Sequence, residues 1–236
     1  MREIKLKAAD QSGEFSAFVW EPKGLKAGKE AGAVVVIQEI FGVNDSLRET
    51  AASLAEQGFI TIAPDLFWRL EPGVNISDKS DAEWQKAFDL MNRFDQDKGI
   101  EDLKTTLAAA RELPGCNGNA GTIGFCLGGR LAVMMATRSD SDVNVSYYGV
   151  GLDSLLPEFD RIQAPLMLHI ADEDEFFPAE GRETLIEGLE GNEWVDAFVF
   201  PEVQHAFARV GGVHYDARAA TIANGHTTEL LAEILD

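Results

Sequence analysis

The sequence has few cysteines and no long apolar run, and these shortages exclude several classes of protein. Only two cysteines, Cys116 and Cys126, occur among 236 residues. Neither stands in a CxxC or Cys/His spacing suited to zinc, so we expect no disulfide framework and no structural metal. The longest apolar run, Ala31–Ile37, is far shorter than the roughly 20 residues of a membrane span. The amino terminus lacks the apolar segment of a signal peptide. We therefore expect a soluble, cytoplasmic protein.

Basic residues are also scarce. Lysine and arginine number 20 against 40 aspartates and glutamates, so the formal net charge is −20. A chain with this charge repels the phosphates of nucleic acids and an anionic membrane surface, and we expect neither as a partner. Linkers rich in proline, glycine and serine are missing, as are internal repeats. With 45% hydrophobic residues the chain can bury a sizeable core, and we expect residues 1–236 to form one domain.

Buried strands and amphipathic helices alternate along the chain. Residues 31–38 form a continuous β-branched run and residues 59–65 repeat this pattern, which is typical of strands covered on both faces. Between them, residues 44–58 space their apolar positions helically, with capping residues at the start and Gly58 at the end. This arrangement predicts a βαβ unit with two parallel strands.

The alternation continues through the rest of the chain. Further helices are predicted at residues 81–94, 99–113, 127–137, 179–189, 215–223 and 227–234, and further strands at 121–125, 143–148, 165–170 and 196–200. Residues 4–8 and 15–20 alternate polar and apolar side chains and predict an antiparallel edge hairpin. The predicted fold class is therefore α/β, with a mostly parallel central sheet and helices on both faces. Any site should lie among the loops at the carboxyl ends of the strands.

The sharpest local feature is a strand that runs directly into a helix through residues 124–129, with the pattern G-x-C-x-G-G. Such a tight turn needs glycine beside its central residue, because a Cβ there would collide with the opposite arm. Cys126 would then be a nucleophile at a helix amino terminus, where the helix dipole favours a thiolate. The Leu127 N–H would be an oxyanion donor. The alternative is that Cys126 is a small buried apolar residue, and Cys116, in a turn, has no comparable context.

A cysteine nucleophile needs a histidine to move the proton and a carboxylate to orient that histidine, in the chain order nucleophile, acid, base. His205 lies in the loop after the strand at 196–200 and is the candidate base. His169 is expected to be a hydrogen-bonded core residue inside an apolar strand, and His214 and His226 are not at strand ends. The candidate acids follow the strand at 165–170, and spacing does not choose among Asp172, Glu173, Asp174 and Glu175.

Five segments of the chain together resemble the dienelactone hydrolase family, the carboxymethylenebutenolidases of the α/β-hydrolase fold. They are residues 38–44 (QEIFGVN), 63–67 (APDLF), 124–129 (GFCLGG), 174–178 (DEFFP) and 205–209 (HAFAR). The resemblance spans nearly the whole chain. It implies an α/β-hydrolase fold without a cap domain, and it selects Asp174 as the acid of the triad.

The resemblance also implies a role for Glu39, which by position alone is either a site residue or a rim charge at a strand end. Glu39 would accept the Cys126 proton when substrate binds, and the Ile40 N–H would join the Leu127 N–H in the oxyanion hole. The implied reaction opens a small enol-lactone, such as dienelactone, through a thioester on Cys126 that His205-activated water then hydrolyses. No cofactor is implied. The expected partner is the small-molecule lactone or ester, and we expect a monomer.

Substrate contacts are expected from Arg209, Trp84 and Phe41. Members of the family hold a substrate carboxylate with two arginines; Arg209 matches one, and Trp84 stands where the other would be. Trp84 is either part of a helix-face core or the flat wall of an apolar acyl pocket. Arg69 is the nearest replacement cation, although its context favours a surface charge. Two other functions stay open: an esterase or thioesterase for another small activated ester, and a non-catalytic ligand-binding or redox-sensing protein.

Overall fold

Eight strands form one sheet in the computed structural model, which describes residues 1–23 and 29–236. In chain order the strands are β1 Arg2–Lys7, β2 Glu14–Trp20, β3 Ala31–Ile37, β4 Ile60–Pro64, β5 Cys116–Phe125, β6 Asn144–Tyr147, β7 Leu166–Ala171 and β8 Val195–Phe200. The helices are α1 Asp45–Glu56, α2 Asp81–Arg93, α3 Gln96–Arg111, α4 Leu127–Arg138, α5 Ala179–Gly188 and α6 Ala217–Leu235, and a 3-10 helix spans Leu152–Arg161.

The sheet is parallel except at its amino-terminal edge. Its strand order is β1-β2-β4-β3-β5-β6-β7-β8. β2 pairs antiparallel with both β1 and β4, and the other neighbouring pairs are parallel. Helices α1 and α6 lie on one face and helices α3 and α4 pack on the other. The predicted α/β class, the mostly parallel sheet and the antiparallel edge hairpin are confirmed.

The central strands bring their carboxyl ends together at one edge of the sheet. Every residue of β3 is buried, as expected for a strand covered by helices on both faces. β3 pairs in register with β5, with Ile37 opposite Gly124. The loop after β3 and the turn after β5 therefore begin side by side, at the edge where an α/β sheet places its ligands.

The carboxyl-terminal helix differs from the prediction. Residues 215–223 and 227–234 were expected to form two helices, but α6 is continuous from Ala217 to Leu235 and includes Gly225. A mid-helix glycine costs only about 1 kcal/mol, and burial of one helix face, including Ala223 and Leu231, outweighs that cost. No helix in the two described ranges is both long and apolar enough to cross a bilayer.

Two further boundaries also differ from expectation. β5 begins at Cys116 rather than near residue 121, because it continues alongside β3, where Ala31 pairs with Cys116. The 3-10 helix Leu152–Arg161 was not predicted. Pro157 within the segment disfavours a regular helix when the sequence is considered alone. In the folded protein the burial of Leu155 and Phe159 stabilises the 3-10 helix.

The interior of the sheet contains one buried histidine away from the strand ends. His169, on β7, is almost fully buried, and its Nε2 lies 2.9 Å from Thr227 Oγ1. The Tyr147 ring centroid is 4.5 Å from that of the imidazole. The expectation that His169 is a hydrogen-bonded core residue is confirmed. Burial, with a smaller contribution from the charge of His226, lowers the pKa of His169 to about 3.

This buried histidine predicts a loss of stability in acid. The unfolded chain takes up a proton on His169 near its ordinary pKa of 6.5, whereas the folded chain does so only near 3. The unfolding free energy should therefore fall as pH drops between these values, by up to about 1.4 kcal/mol per pH unit from this group. Urea unfolding measured from pH 7 to pH 4 checks this. A His169→Phe variant should show a shallower pH slope, and equal slopes would contradict the assignment.

Candidate active site

Cys126 lies on the sharp turn between β5 and α4. Its backbone has φ 57° and ψ −116°, a strained conformation of the kind that functional sites retain. A Cβ on Gly124 would lie 1.9 Å from the Gly128 carbonyl oxygen, and one on Gly128 would lie 2.4 Å from the Ile37 oxygen. The glycines beside Cys126 are therefore required by close backbone approach, as the sequence pattern predicts. The Cys126 N–H donates to the Tyr147 carbonyl at 3.0 Å, which ties the turn to β6.

His205 and Asp174 form a buried pair near this cysteine. His205 Nδ1 and Asp174 Oδ2 are 2.7 Å apart, and His205 lines the same cavity as Cys126. Burial lowers the pKa of His205, whereas the Cys126 sulfur when it is ionised and the Asp174 carboxylate raise it above the ordinary value. His205 Nε2 is buried and has no hydrogen-bond partner among the described residues. This nitrogen is the one placed to exchange a proton with a reacting group.

The acid loop after β7 is held by a residue that the sequence does not single out. Arg182, on α5, donates to the Asp174 carbonyl at 3.2 Å and also to the carbonyls of Asp172 and Phe177. The Phe176 N–H donates to Asp174 Oδ1 at 2.8 Å, so the carboxylate has a fixed orientation. Of the four acids that spacing left open, Asp174 is the one bonded to His205.

Two aromatic rings hold the His205 imidazole in place. The Tyr148 ring meets it edge to face at a centroid distance of 5.1 Å, and the Phe176 ring does so at 4.9 Å. Tyr148 is buried with a φ of 38°, and burial raises the pKa of its hydroxyl well above the usual value. Sequence reasoning missed Tyr148, because a tyrosine at the end of a buried strand reads as core.

The two residues expected to supply oxyanion donors, Leu127 and Ile40, belong to segments that follow neighbouring strands of the sheet. Leu127 is the first residue of α4. Its N–H belongs to the first helical turn, where the amide groups have no acceptor within the helix. Ile40 follows β3 and lines the same cavity as Cys126. Gln38 supports the Ile40 loop: its Oε1 accepts from the Leu66 N–H at 3.0 Å. Both backbone segments meet at the edge of the sheet where the cysteine is exposed to the cavity.

Glu39 is bonded to Arg209. Arg209 Nε donates to one Glu39 oxygen at 2.8 Å and Nη2 donates to the other at 2.9 Å. The third arginine nitrogen, Nη1, donates to Asp78 Oδ2 at 2.6 Å. Burial alone would lower the pKa of Arg209, but the Glu39 charge outweighs it and raises the pKa. Sequence reasoning missed Asp78, since the segment SDKS around it reads as an ordinary polar turn.

An apolar cavity of about 190 Å³ opens over the cysteine. Its lining combines the site residues with aromatic and aliphatic side chains: Ile40, Phe41, Trp84, Phe88, Met91, Cys126, Val150, Phe176, His205 and Arg209. The Trp84 ring stacks on Phe88 at a centroid distance of 5.4 Å and meets Phe41 edge to face at 5.0 Å. Of the two interpretations of Trp84, the structure supports the wall of an apolar pocket.

Arg69 does not take part in this cavity. Its guanidinium bonds to the buried carboxylate of Asp102 and to Asp10, 3.3 Å away. It lies against helix α3 and does not replace a substrate-binding cation. Across residues 1–23 and 29–236 no group of three or more histidine, cysteine, aspartate or glutamate side chains is arranged to hold a metal ion.

Comparisons with known proteins show which family the chain resembles in sequence and fold. The sequence profile of the dienelactone hydrolase family matches residues 15–235. A protein of Azospirillum brasilense is 48% identical over 243 residues, which cover 100% of both chains. The carboxymethylenebutenolidase of Pseudomonas putida is 36% identical over 93% of this chain and 92% of its own. A crystal structure from Klebsiella pneumoniae shares the fold, with a TM-score of 0.83 and 24% identity over 98% of both chains. The chain therefore belongs to the dienelactone hydrolase family and is a carboxylic ester hydrolase with the α/β-hydrolase fold.

Proposed function

We propose that this hydrolase opens small enol-lactones through nucleophilic attack by Cys126. The observation that carries the proposal is the placement of Cys126 on a strained turn in one cavity with the buried His205–Asp174 pair. This is the arrangement in which a thiol, a base and an orienting acid act together on an acyl group. In this proposal the backbone N–H groups of Ile40 and Leu127 hold the oxyanion.

The proposed reaction has two stages. Glu39 accepts the Cys126 proton when substrate binding frees it from Arg209, and the thiolate attacks the lactone carbonyl. The sulfur–carbon bond forms, the ring carbon–oxygen bond breaks, and the enolate leaves and takes up the proton that Glu39 accepted. His205, oriented by Asp174, then removes a proton from water, which attacks the thioester. The carbon–sulfur bond breaks, the carboxylic acid leaves, and His205 returns the proton to the Cys126 sulfur. The ion pair between Glu39 and Arg209 supports this order. While Glu39 is bonded to Arg209 it does not act as a base, and it becomes one only when substrate binding breaks the pair.

A second candidate is an esterase that acts on other small activated esters through the same cysteine. The aromatic wall of Phe41, Trp84, Phe88 and Phe176 favours it, because such a wall accepts flat or aliphatic acyl groups by burial and stacking. The chemistry at Cys126 is the same in both cases, and only the substrate differs.

The test follows the ultraviolet absorbance of dienelactone with the purified protein and with a Glu39→Gln variant. We expect the unaltered protein to consume the lactone. The variant should do so about 10²- to 10⁴-fold more slowly, because an amide cannot accept the thiol proton. If the protein cleaves p-nitrophenyl esters but leaves dienelactone intact, the lactonase proposal is wrong and the esterase is the better candidate. If the protein binds the lactone, or Cys126 is reversibly oxidised, and no substrate is cleaved, both the lactonase and the esterase proposals are wrong and a sensor protein is indicated.

A further inference from the structure

Among the described residues that line the cavity over Cys126, Arg209 is the one basic side chain apart from His205. Each of its three guanidinium nitrogens already donates to a carboxylate. Glu39 takes two of them and Asp78 takes the third. Both carboxylates belong to side chains that are only 7% exposed. One positive charge therefore faces two negative charges in a partly dry site, where charges interact strongly. His205 offers no substitute, since its ring is paired with Asp174.

Arg209 stays neutralised when Glu39 leaves it, because its pair with Asp78 remains. Asp78 alone still neutralises the guanidinium, so a substrate carboxylate arriving at Arg209 meets a pair with no net positive charge. The unfavourable desolvation of that carboxylate is then poorly offset. The net charge of −20 on the whole chain opposes the approach of anions as well.

Asp78 is held in this position by the same residue that makes the cavity apolar. Trp84 Nε1 donates to the Asp78 carbonyl at 3.0 Å, while the Trp84 ring stacks toward Phe88 and Phe176. The start of α2 also fixes the segment, because Glu83 accepts hydrogen bonds from Ser77 and Ser80. The aromatic wall and the neutralised arginine are therefore parts of one local arrangement.

We propose that Asp78 is a specificity-determining residue that, through Arg209, directs this site toward neutral, apolar lactones and esters and against substrates that carry a carboxylate. Asp78 acts on substrate choice by positioning and neutralising Arg209, and it does not take part in bond making. The inference rests on the proposed function and names the substrate class for it.

The test compares dienelactone with its isobutylidene analogue, in which a neutral isopropyl group replaces the carboxylate of the same shape. The unaltered protein should favour the neutral lactone by about tenfold or more in kcat/KM. Asp78→Asn should shift that ratio toward the anion by about tenfold or more, mainly through a lower KM for dienelactone. The KM for dienelactone should change by a larger factor than either kinetic constant on the neutral lactone, whereas a merely structural defect would affect both lactones alike.

Asp45→Asn is the matched control. It removes the same charge from the neighbouring surface, where Asp45 contacts Asn75 rather than Arg209, and it should leave the ratio unchanged. A preference for dienelactone in the unaltered protein, or an unchanged ratio in Asp78→Asn, would overturn the inference.

Calorimetric binding of both lactones to Cys126→Ala, which cannot form the thioester, gives the same comparison without turnover. It applies even if Asp78→Asn does not fold. Absence of turnover in the unaltered protein would count against the proposed function, whereas tighter binding of the anion to Cys126→Ala would count against Asp78 alone.

Discussion

Replacing Cys126 with alanine is expected to abolish hydrolysis of lactones and activated esters, with kcat reduced on the order of 10⁴-fold or more. Without the sulfur no thioester forms, and the amides of Ile40 and Leu127 have no tetrahedral adduct to stabilise. The fold should survive, because alanine keeps the small volume of the turn. Steady-state kinetics on dienelactone and on a p-nitrophenyl ester, with circular dichroism to verify folding, measure the effect.

Cys116→Ala is the control for this experiment. Cys116 is the other cysteine of the chain and lies at the start of β5, the opposite end of the strand from the turn at Cys126. Its removal should leave kcat and KM unchanged. Full activity in Cys126→Ala would show that another group attacks the substrate, and it would remove the basis of the mechanism.

Replacing Gly124 with alanine is expected to destabilise the protein by at least about 4 kcal/mol, or to prevent its accumulation in folded form. The new Cβ would lie 1.9 Å from the Gly128 carbonyl oxygen and 2.9 Å from the Gly129 nitrogen. Both are backbone atoms of α4, so they cannot rotate away as a side chain could. Urea unfolding followed by circular dichroism measures the change, with soluble yield recorded alongside.

Gly225→Ala is the control in the same assay, and we expect it to stabilise the protein rather than destabilise it. Gly225 lies within α6, and no atom stands within 4 Å of the Cβ it would gain. Alanine there should stabilise the protein by up to about 1 kcal/mol, because it restricts the unfolded chain and favours helix. Equal stability of the Gly124→Ala and unaltered proteins would mean that the turn between β5 and α4 tolerates a side chain at residue 124, contrary to the close approach of the two elements.

The candidate site was predictable wherever a residue occupies a strand end. Cys126 follows β5 directly and His205 lies in the loop after β8, and parallel strands bring such loops together whatever the details of packing. Asp174 was not selected by spacing, because four acids follow β7 in a row. Family resemblance selected it, and the structure bonds it to His205 through the loop geometry that Arg182 and Phe176 hold.

Tertiary contact decided the features that local sequence describes poorly. Asp78 and Arg209 are 131 positions apart, and nothing in a short polar turn indicates that its carboxylate will meet a buried guanidinium. The continuous α6 is similar: Asn-Gly in the middle of a helix predicts a break, and packing of α6 on the sheet overrides that preference.

The sequence by itself determined the α/β class, the turn that presents Cys126 and the loop that holds His205. These depend on local periodicity and on glycines that a close turn requires. Only the tertiary structure decided that Arg209 is shared by Glu39 and Asp78 and that Trp84 lines the cavity. Charge pairing and the shape of a pocket depend on distances between segments far apart in the chain, and those distances exist only once the sheet has formed.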